Sequence, residues 1–410
     1  MAGLAQARLF GGVDGGATKT WAVVGDGEGR LLGFGAGGPA NYHVFGLEFT
    51  LQSVVSALGQ AAAAAGVEIG VLTRAAFYLG GDDSKEDHAN LGEALRANLP
   101  SKLAIQWDND CWAALRGGTE KNWGAVVIGG SGSNSAAISP DGRRAILRGL
   151  GRDSGNPGGA SDIAREAMYW AFRMDEGMCP KTSLHGAILE ALELTDYDAV
   201  VRESAGSGLA FGYRVMGVVG PLVFHLAREG DPRAQDILIE MGRLMGEQTG
   251  AVMKRAGIED LKADVVLAGS AYRGESPLLI DSLTLALHRW APKAKPRLPL
   301  HQPVVGAYLL ALEGAGLTVG PEADRNLAAT VKTICPSSPP GHRGKRAHPV
   351  AFSQNPLQNG RSVVDEDQLD LLQRHPEGLE QFAQGQAFLH LDGHRLSRPG
   401  GEATETGVEG

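Results

Sequence analysis

A glycine-rich segment near the start of the chain, residues 11–20, limits what this protein can fold into more than any other part of its sequence. It follows a short apolar stretch and leads directly into a second extended segment, residues 20–24. Glycine lets backbone N–H groups approach a ligand closely, and Thr18 and Lys19 add a hydroxyl group and a positive charge. Asp14 is suited to holding a metal ion, directly or through water. The composition of the segment therefore predicts a phosphate-binding site.

The residues after this glycine turn decide which kind of phosphate site it can form. A P-loop or a dinucleotide-binding fingerprint places its glycines between a strand and the N-terminus of a helix. Here β-branched and aromatic residues follow, then a second glycine turn at residues 25–29 and a third apolar run at residues 30–34. This pattern is typical of an antiparallel meander, so the predicted phosphate site lies on a hairpin. From this segment alone, a glycine hairpin that binds no ligand remains the alternative.

Composition and charge limit the classes to which the protein can belong. Its 410 residues are enough for two or three domains with a substantial core. The net charge of -9 argues against a nucleic-acid-binding protein. The three cysteines lie far apart in the sequence, which excludes the usual metal and redox spacings and fits a reducing cytosol. No signal-peptide core and no apolar run of membrane-spanning length is present, so we expect a cytoplasmic protein without membrane contact.

The order of predicted elements begins again in the second part of the chain. A meander followed by alternating strands and helices occupies residues 8–117. A strand at residues 124–128 then leads into a second glycine turn at residues 129–134 and a further strand. This repetition predicts a duplicated α/β unit, with two phosphate hairpins facing each other across a cleft. We expect domains at residues 8–117 and 118–302, with a helix at residues 303–317 completing the first domain.

The character of the sequence changes beyond about residue 318. A stretch rich in proline, glycine and basic residues at 336–346 is followed by low-complexity sequence up to residue 410. Such sequences bury too little apolar surface to offset the entropy that ordering costs. We therefore predict that residues 318–410 are largely disordered, apart from one weakly amphipathic stretch at residues 363–382.

Carboxylates follow one of the predicted strands of the first unit. Asp108 and Asp110 lie between the strand at residues 103–107 and the apolar start of a helix. Either side chain could cap that helix, because an aspartate at this position accepts hydrogen bonds from the first N–H groups. Asp110 could instead act as a general base, and the spacing alone does not distinguish the two roles.

Four segments in order, residues 14–20, 107–115, 129–134 and 267–273, resemble those of the sugar kinase–Hsp70–actin superfamily. The chain is similar above all to the N-acetylglucosamine kinase branch, which is grouped with the BadF/BadG/BcrA/BcrD ATPases. The resemblance covers residues 8–317. It implies two duplicated ribonuclease H-like domains, the actin-like ATPase fold, with ATP and Mg²⁺ in the cleft between them.

The resemblance also implies roles for individual residues. The first phosphate motif of the family matches residues 14–20, with Ala17 in place of its third glycine, and the second matches residues 130–134. It implies that Asp110 is the general base for the acceptor hydroxyl. The metal would bind at Asp14, and the sugar would contact Asn41, Asp110, Asn134 and Asn156. The nucleotide would contact Gly15, Gly16, Thr18, Lys19, Ser131, Gly132, Ser133, Gly269 and Ser270.

One stretch departs from the family pattern on the acceptor side. The family usually has Gly-Asp-Glu-Gly-Ser, whose aspartate holds sugar hydroxyls, whereas this chain has Asn156 and Pro157 in place of the acidic pair. Leu150 also stands where some sugar kinases of this branch carry tryptophan. An amide donates as well as accepts hydrogen bonds, but it carries no charge. The nucleotide side of the site therefore matches the family, whereas the acceptor side is altered.

These observations predict a kinase that transfers the γ-phosphate of ATP to a hydroxyl of an amino sugar, N-acetylglucosamine or glucosamine. One alternative is a nucleotide-dependent activator or switch of the BadF type, and another is a non-catalytic sugar sensor. Asn156 and Pro157 slightly favour a switch, whereas the wide spacing of the cysteines argues against an iron–sulfur activator. We expect a small sugar as the binding partner, no nucleic acid, and a homodimer as one possible assembly.

Overall fold

The computed structural model describes residues 8–274 and 276–335 of the chain. Its first sheet has five strands in the spatial order β3-β2-β1-β4-β5. Strands β1, β2 and β3 form an antiparallel meander, whereas β4 and β5 run parallel to β1. The bounds are β1 Leu9–Gly15, β2 Thr20–Asp26, β3 Leu31–Gly37, β4 Arg74–Leu79 and β5 Ala104–Asn109.

The second sheet repeats this arrangement. Its order is β10-β9-β6-β7-β8, with β6, β7 and β8 antiparallel and β9 and β10 parallel to β6. Each strand thus has a counterpart at the same position of the first sheet, which confirms the predicted duplication. The bounds are β6 Gly124–Gly129, β7 Ser133–Ile138, β8 Arg144–Ile146, β9 Asp264–Ala268 and β10 Lys295–Arg297.

Helices cover both sheets, and they divide between two domains. Domain I contains β1–β5 with α1 Tyr42–Phe45, α2 Leu47–Ala64, α3 Lys85–Asn98, α4 Asp110–Gly118, α10 Pro303–Gly314 and α11 Pro321–Ile334. Domain II contains β6–β10 with α5 Gly159–Asp175, α6 Ser183–Ala191, α7 Tyr197–Arg228, α8 Pro232–Ala256 and α9 Leu278–His288.

Helices α4 and α10 lie between the two sheets and cross at very short range. A β-carbon on Gly306 of α10 would stand 2.0 Å from the backbone oxygen of Ala113 in α4, so only glycine permits this approach. Arg116 of α4 also donates to Glu313 of α10 over 2.8 Å. One apolar cluster includes both helices and buried residues of both sheets: Phe10, Trp21, Ala76, Val126, Ala136 and Val266. The two helices therefore fix how the domains sit on each other.

Helix α11 lies in the segment for which the sequence predicted disorder, so that prediction is wrong for residues 321–334. Leu327 is buried, Thr330 accepts a hydrogen bond from the backbone N–H of Leu31, and Asn326 donates to the oxygen of Glu28. These contacts join α11 to the β2–β3 side of domain I. The rest of the predicted disordered tail, from residue 336, and the amphipathic stretch at 363–382 lie outside the described residues.

One of the described helices, within α7, is long and apolar enough to cross a membrane when judged by length and composition alone. It spans Ala210–Arg228, and half of its apolar window is buried in the protein. Val219, Val223 and Ala227 of this helix belong to the core of domain II. A core helix of a globular domain meets the same length and composition criteria.

The packing of α11 can be tested by removing its main apolar anchor. We expect Leu327→Ala to lower the free energy of unfolding by about 2–5 kcal/mol, because Leu327 is only 1% exposed and its removal leaves a cavity. Urea denaturation of the two proteins measures the difference. Ala329→Ser, an exposed position of the same helix, is the control and should change stability by about 0.5 kcal/mol or less. Equal effects of the two substitutions would show that α11 does not pack as described.

Candidate active site

The two predicted phosphate hairpins meet at the cleft between the domains. The turn between β1 and β2 is closed by a hydrogen bond from the Gly16 N–H to the Lys19 oxygen, and the turn between β6 and β7 by one from Gly130 to Gly132. The hydroxyl oxygens of Thr18 and Ser131 are 3.3 Å apart. The two glycine turns, one from each domain, are therefore in direct contact through these hydroxyl groups.

The first hairpin carries a lysine and a carboxylate whose charges are both disfavoured by burial. Burial lowers the pKa of Lys19 to about 8; the negative charge of Asp14 opposes this shift, and the positive charge of Arg273 adds to it. Burial likewise raises the pKa of Asp14 to about 6, although the positive charge of Lys19 opposes this shift. The Lys19 ammonium also lies 3.0 Å from the ring centroid of Trp21. An anionic ligand would favour the charged form of Lys19, and a metal ion would favour that of Asp14.

Backbone hydrogen bonds from the start of α5 hold the second hairpin in place. The N–H groups of Ala160 and Ser161 donate to the oxygens of Gly130 and Ser131 over 2.8 and 2.9 Å. Next to this turn, the hydroxyl oxygen of Ser133 is buried and has no hydrogen-bond partner among the described residues. A buried hydroxyl without a partner is costly, and a ligand oxygen at the hairpin would supply one.

The segment predicted to contact the adenosine lies against the second hairpin. Gly269 follows β9 with a φ of +109°, and a β-carbon on it would stand 2.3 Å from the oxygen of Gly129 at the end of β6. Only glycine allows this conformation and this approach. Gly269 and the exposed Ser270 are thereby placed beside the turn that carries Ser131.

The predicted base, Asp110, is the first residue of α4, directly after β5. The helix cap is Asn109, whose side-chain oxygen accepts from the N–H of Cys111 over 3.0 Å, so neither Asp108 nor Asp110 has the capping role. Burial above all, together with the negative charges of Asp14 and Asp83, raises the pKa of Asp110 to about 8, although hydrogen bonds from two backbone N–H groups oppose the shift. A carboxylate in this environment is a stronger base than a solvated one.

Asn41 lies next to Asp110 on the acceptor side. The Nδ2 atom of Asn41 and the Oδ2 atom of Asp110 are 3.6 and 3.5 Å from the position that a β-carbon on Gly80 would occupy, at the end of β4. The Oδ1 atom of Asn41 accepts from the N–H of His43 and caps α1, which fixes the side chain. The predicted sugar contact and the predicted base are therefore neighbours.

The two asparagines of domain II differ in their surroundings. Asn134 is buried next to the second hairpin, where its Oδ1 atom accepts from the N–H of Ser135 over 2.8 Å. Asn156 is also buried, but its Nδ2 atom donates to the hydroxyl of Ser154 over 3.0 Å. The described contacts join Asn156 to its own loop and not to Asp110 or Asn41, so its sugar-binding role stays a prediction.

Sequence reasoning missed one further carboxylate, Asp83. It follows β4 in the loop before α3, and its Oδ1 atom accepts from the Nδ2 atom of Asn109 over 2.9 Å. The only signal in the sequence was the pair of acidic residues, Asp82 and Asp83, after the buried strand. The carboxyl ends of the parallel strands β4 and β5 share one sheet edge, which brings Asp83 to Asp110.

The described residues offer few groups that could join Asp14 in holding a metal ion. Within residues 8–274 and 276–335, no group of three or more histidine, cysteine, aspartate or glutamate side chains is arranged to hold a metal ion. A single carboxylate beside a phosphate site is the arrangement in which Mg²⁺ is commonly bound, because most of its ligands are then phosphate oxygens and water.

Relatives of known description match most of the chain. An N-acetyl-D-glucosamine kinase from Dictyostelium discoideum is 27% identical over 323 residues, which cover 74% of this chain and 98% of the relative. An N-acetylmuramic acid/N-acetylglucosamine kinase from Clostridium acetobutylicum is 25% identical over 69% of this chain and 92% of its own length. A glucosamine kinase from Vibrio cholerae is 26% identical over 55% of this chain and 74% of its own length.

Solved structures and a family profile agree with these relatives. The structure of a candidate N-acetylglucosamine kinase from Chromobacterium violaceum has a TM-score of 0.58 at 24% identity and covers 74% of this chain and 99% of its own. That similarity supports the fold. The sequence profile of the BadF/BadG/BcrA/BcrD ATPase family matches residues 12–311. The chain therefore belongs to the BadF/BadG/BcrA/BcrD ATPase family.

Proposed function

We propose that this protein is an ATP-dependent kinase that transfers the γ-phosphate of ATP to a hydroxyl of an amino sugar, N-acetylglucosamine or glucosamine. The observation that carries the proposal is the meeting of two glycine hairpins from two domains, with the Asp110 carboxylate on the same sheet edge as the first hairpin. The three relatives described as amino-sugar kinases support this class of substrate.

The nucleotide would lie across the two hairpins. Gly15, Gly16 and Gly132 would let the phosphates approach the two turns closely, the side chains of Thr18, Lys19, Ser131 and Ser133 would bind them, and Gly269 and Ser270 would face the adenosine. The unpartnered hydroxyl of Ser133 and the buried charge of Lys19 suit an anionic ligand. Asp14 would hold Mg²⁺, directly or through water, and the ion would neutralise charge on the phosphates when bound.

The acceptor would lie between the ends of β4 and β5 and the second hairpin. Asn41, Asn134 and Asn156 would hold sugar hydroxyls, and Asp110 would accept the proton of the hydroxyl that attacks the γ-phosphate. Asp110 has to be ionised for this role. Since its pKa is raised, the ionised carboxylate of Asp110 binds the proton of the acceptor hydroxyl well. Much of the remaining rate enhancement would come from holding ATP and the sugar in position between the two domains.

The proposed base is tested by an isosteric substitution. We expect Asp110→Asn to lower kcat by about 100- to 10,000-fold in an assay with Mg-ATP and a panel of amino sugars, because the amide cannot accept the proton. Asp108→Asn is the matched control: it lies two residues earlier, and its ion pair with Arg144 is partly exposed and of small energetic value. Full activity of Asp110→Asn would exclude Asp110 as the base, and ADP release without any sugar would indicate a switch ATPase.

The raised pKa of Asp110 also predicts a change in stability with pH. Because the folded protein holds this proton more tightly than the unfolded chain, stability is lost as the pH rises from the ordinary carboxylate range through about 8. Asp110→Asn cannot ionise, so we expect its melting temperature to exceed that of the wild type by an amount that grows between about pH 5 and pH 9.

Thermal unfolding of both proteins across this pH range measures the effect. Asp108→Asn again serves as the control, since its carboxylate is paired with Arg144. A melting-temperature difference between Asp110→Asn and the wild type that does not depend on pH would mean that Asp110 is not desolvated in the folded protein.

A further inference from the structure

The missed carboxylate, Asp83, is held in the acceptor side of the site by the residue that precedes the base. Asn109 caps α4 with its side-chain oxygen and donates with its Nδ2 atom to the Oδ1 atom of Asp83 over 2.9 Å and to the backbone oxygen of Asp82 over 3.2 Å. Asn109 is buried, so this connection is sheltered from water. The positions of Asp83 and Asp110 are therefore coupled through one side chain.

A second carboxylate, that of Asp87, holds the loop of Asp83 together with the loop of Asn41. The Oδ2 atom of Asp87 accepts from the backbone N–H of Asp83 over 3.3 Å. Its Oδ1 atom accepts from the hydroxyl of Tyr42 and lies 3.3 Å from Nε2 of His43. Tyr42 and His43 directly follow Asn41 in the chain. Both acceptor-side loops are thus preorganised by the same group.

Domain II approaches Asp83 from the other side of the cleft. Gly149 has a φ of +68°, and a β-carbon there would stand 2.9 Å from the Oδ1 atom of Asp83 and 2.8 Å from the Nδ2 atom of Asn134. Asn134 is only 8% exposed, and none of the described residues accepts a hydrogen bond from its Nδ2 atom. The Nδ2 atom of Asn134 and the Oδ1 atom of Asp83 therefore lie close together, one from each domain, and a single ligand between the domains would contact both.

Within the described residues, no cation compensates the charge of Asp83. Burial above all, together with the negative charges of Asp87 and Asp82, raises the pKa of Asp83 to about 7, although the hydrogen bond from Asn109 opposes the shift. Asp14 has Lys19 nearby, but no lysine, arginine or histidine in the described part of the chain forms an ion pair with Asp83 or Asp110. Desolvated carboxylates without a cation are costly, and a cationic ligand would remove that cost.

We propose that Asp83 is a specificity-determining residue that binds the ammonium group of the acceptor, so that the preferred acceptor is an amino sugar with a free amine and not its N-acetyl derivative. This inference rests on the proposed kinase function and narrows its substrate. An ammonium group donates charge-assisted hydrogen bonds to the carboxylate, whereas an acetamide is neutral and larger. Asn156 of domain II carries no charge, so the acceptor's ammonium group would be recognised by Asp83 of domain I, which is consistent with this assignment.

The preference for the free amine is measured with two acceptors and three proteins. Values of kcat/KM for glucosamine and N-acetylglucosamine are compared in the wild type, in Asp83→Asn and in Glu86→Gln. Glu86 is an exposed acid three residues away, so its variant makes a similar change in net charge outside the site. We expect Asp83→Asn to lower the ratio of glucosamine to N-acetylglucosamine kcat/KM by about 10- to 100-fold, while Glu86→Gln leaves the ratio unchanged.

Direct binding separates this inference from the kinase function. Calorimetric titration of each protein with the two sugars, in the presence of Mg²⁺ and a non-hydrolysable ATP analogue, reports recognition without turnover. Loss of glucosamine binding in Asp83→Asn would support the role of Asp83, whether or not the sugar is phosphorylated. Absence of phosphorylation of any sugar would overturn only the kinase function. A wild-type preference for N-acetylglucosamine, an unchanged ratio in a folded Asp83→Asn protein, or no binding of either sugar would overturn the role of Asp83.

Discussion

The crossing of α4 and α10 is the contact on which the rest of the structure depends. Gly306 lets the two helices approach to backbone contact, and both sheets pack on the pair in one apolar cluster. Protein interiors are close-packed, so this crossing sets the distance between the domains with little freedom. It places the hydroxyl oxygens of Thr18 and Ser131 3.3 Å apart across the domain boundary. Helix α4 itself begins with Asp110. The same packing thus positions both predicted phosphate hairpins and the proposed base.

The site concentrates negative charge where the fold removes water. Parallel strands end at one sheet edge, so the carboxylates of Asp14, Asp83 and Asp110 converge there, and burial raises the pKa of each. Buried carboxylates make the folded protein less stable at neutral and alkaline pH than apolar residues would. Such a cost is typical of functional sites, where ligands of opposite charge offset it. In this protein the compensating groups would be Mg²⁺ at Asp14 and the amine of the acceptor at Asp83.

The sequence predicted those parts of the fold and site that depend on local chemistry. Glycine turns between β-branched runs identified both hairpins, and their repetition predicted the duplicated sheets. The role of Asp110 could not be separated from helix capping, because both roles require a carboxylate before the same helix; only the structure shows that Asn109 caps α4. Asp83 was missed because its contact with Asn109 depends on the pairing of β4 with β5. Helix α11 has an apolar side formed by Leu327, Val331 and Ile334, but it was missed because it directly precedes the stretch rich in proline, glycine and basic residues and was assigned to the same tail.

We infer that two hairpins from two domains bind one nucleotide whose terminal phosphate faces Asp110. A crystal structure with Mg²⁺, a non-hydrolysable ATP analogue and glucosamine tests it most directly. The arrangement described here predicts phosphate oxygens in contact with both Lys19 and Ser133, and a sugar hydroxyl within hydrogen-bond distance of the Asp110 carboxylate. A nucleotide bound by one hairpin alone, or a sugar bound away from Asp110, would contradict it.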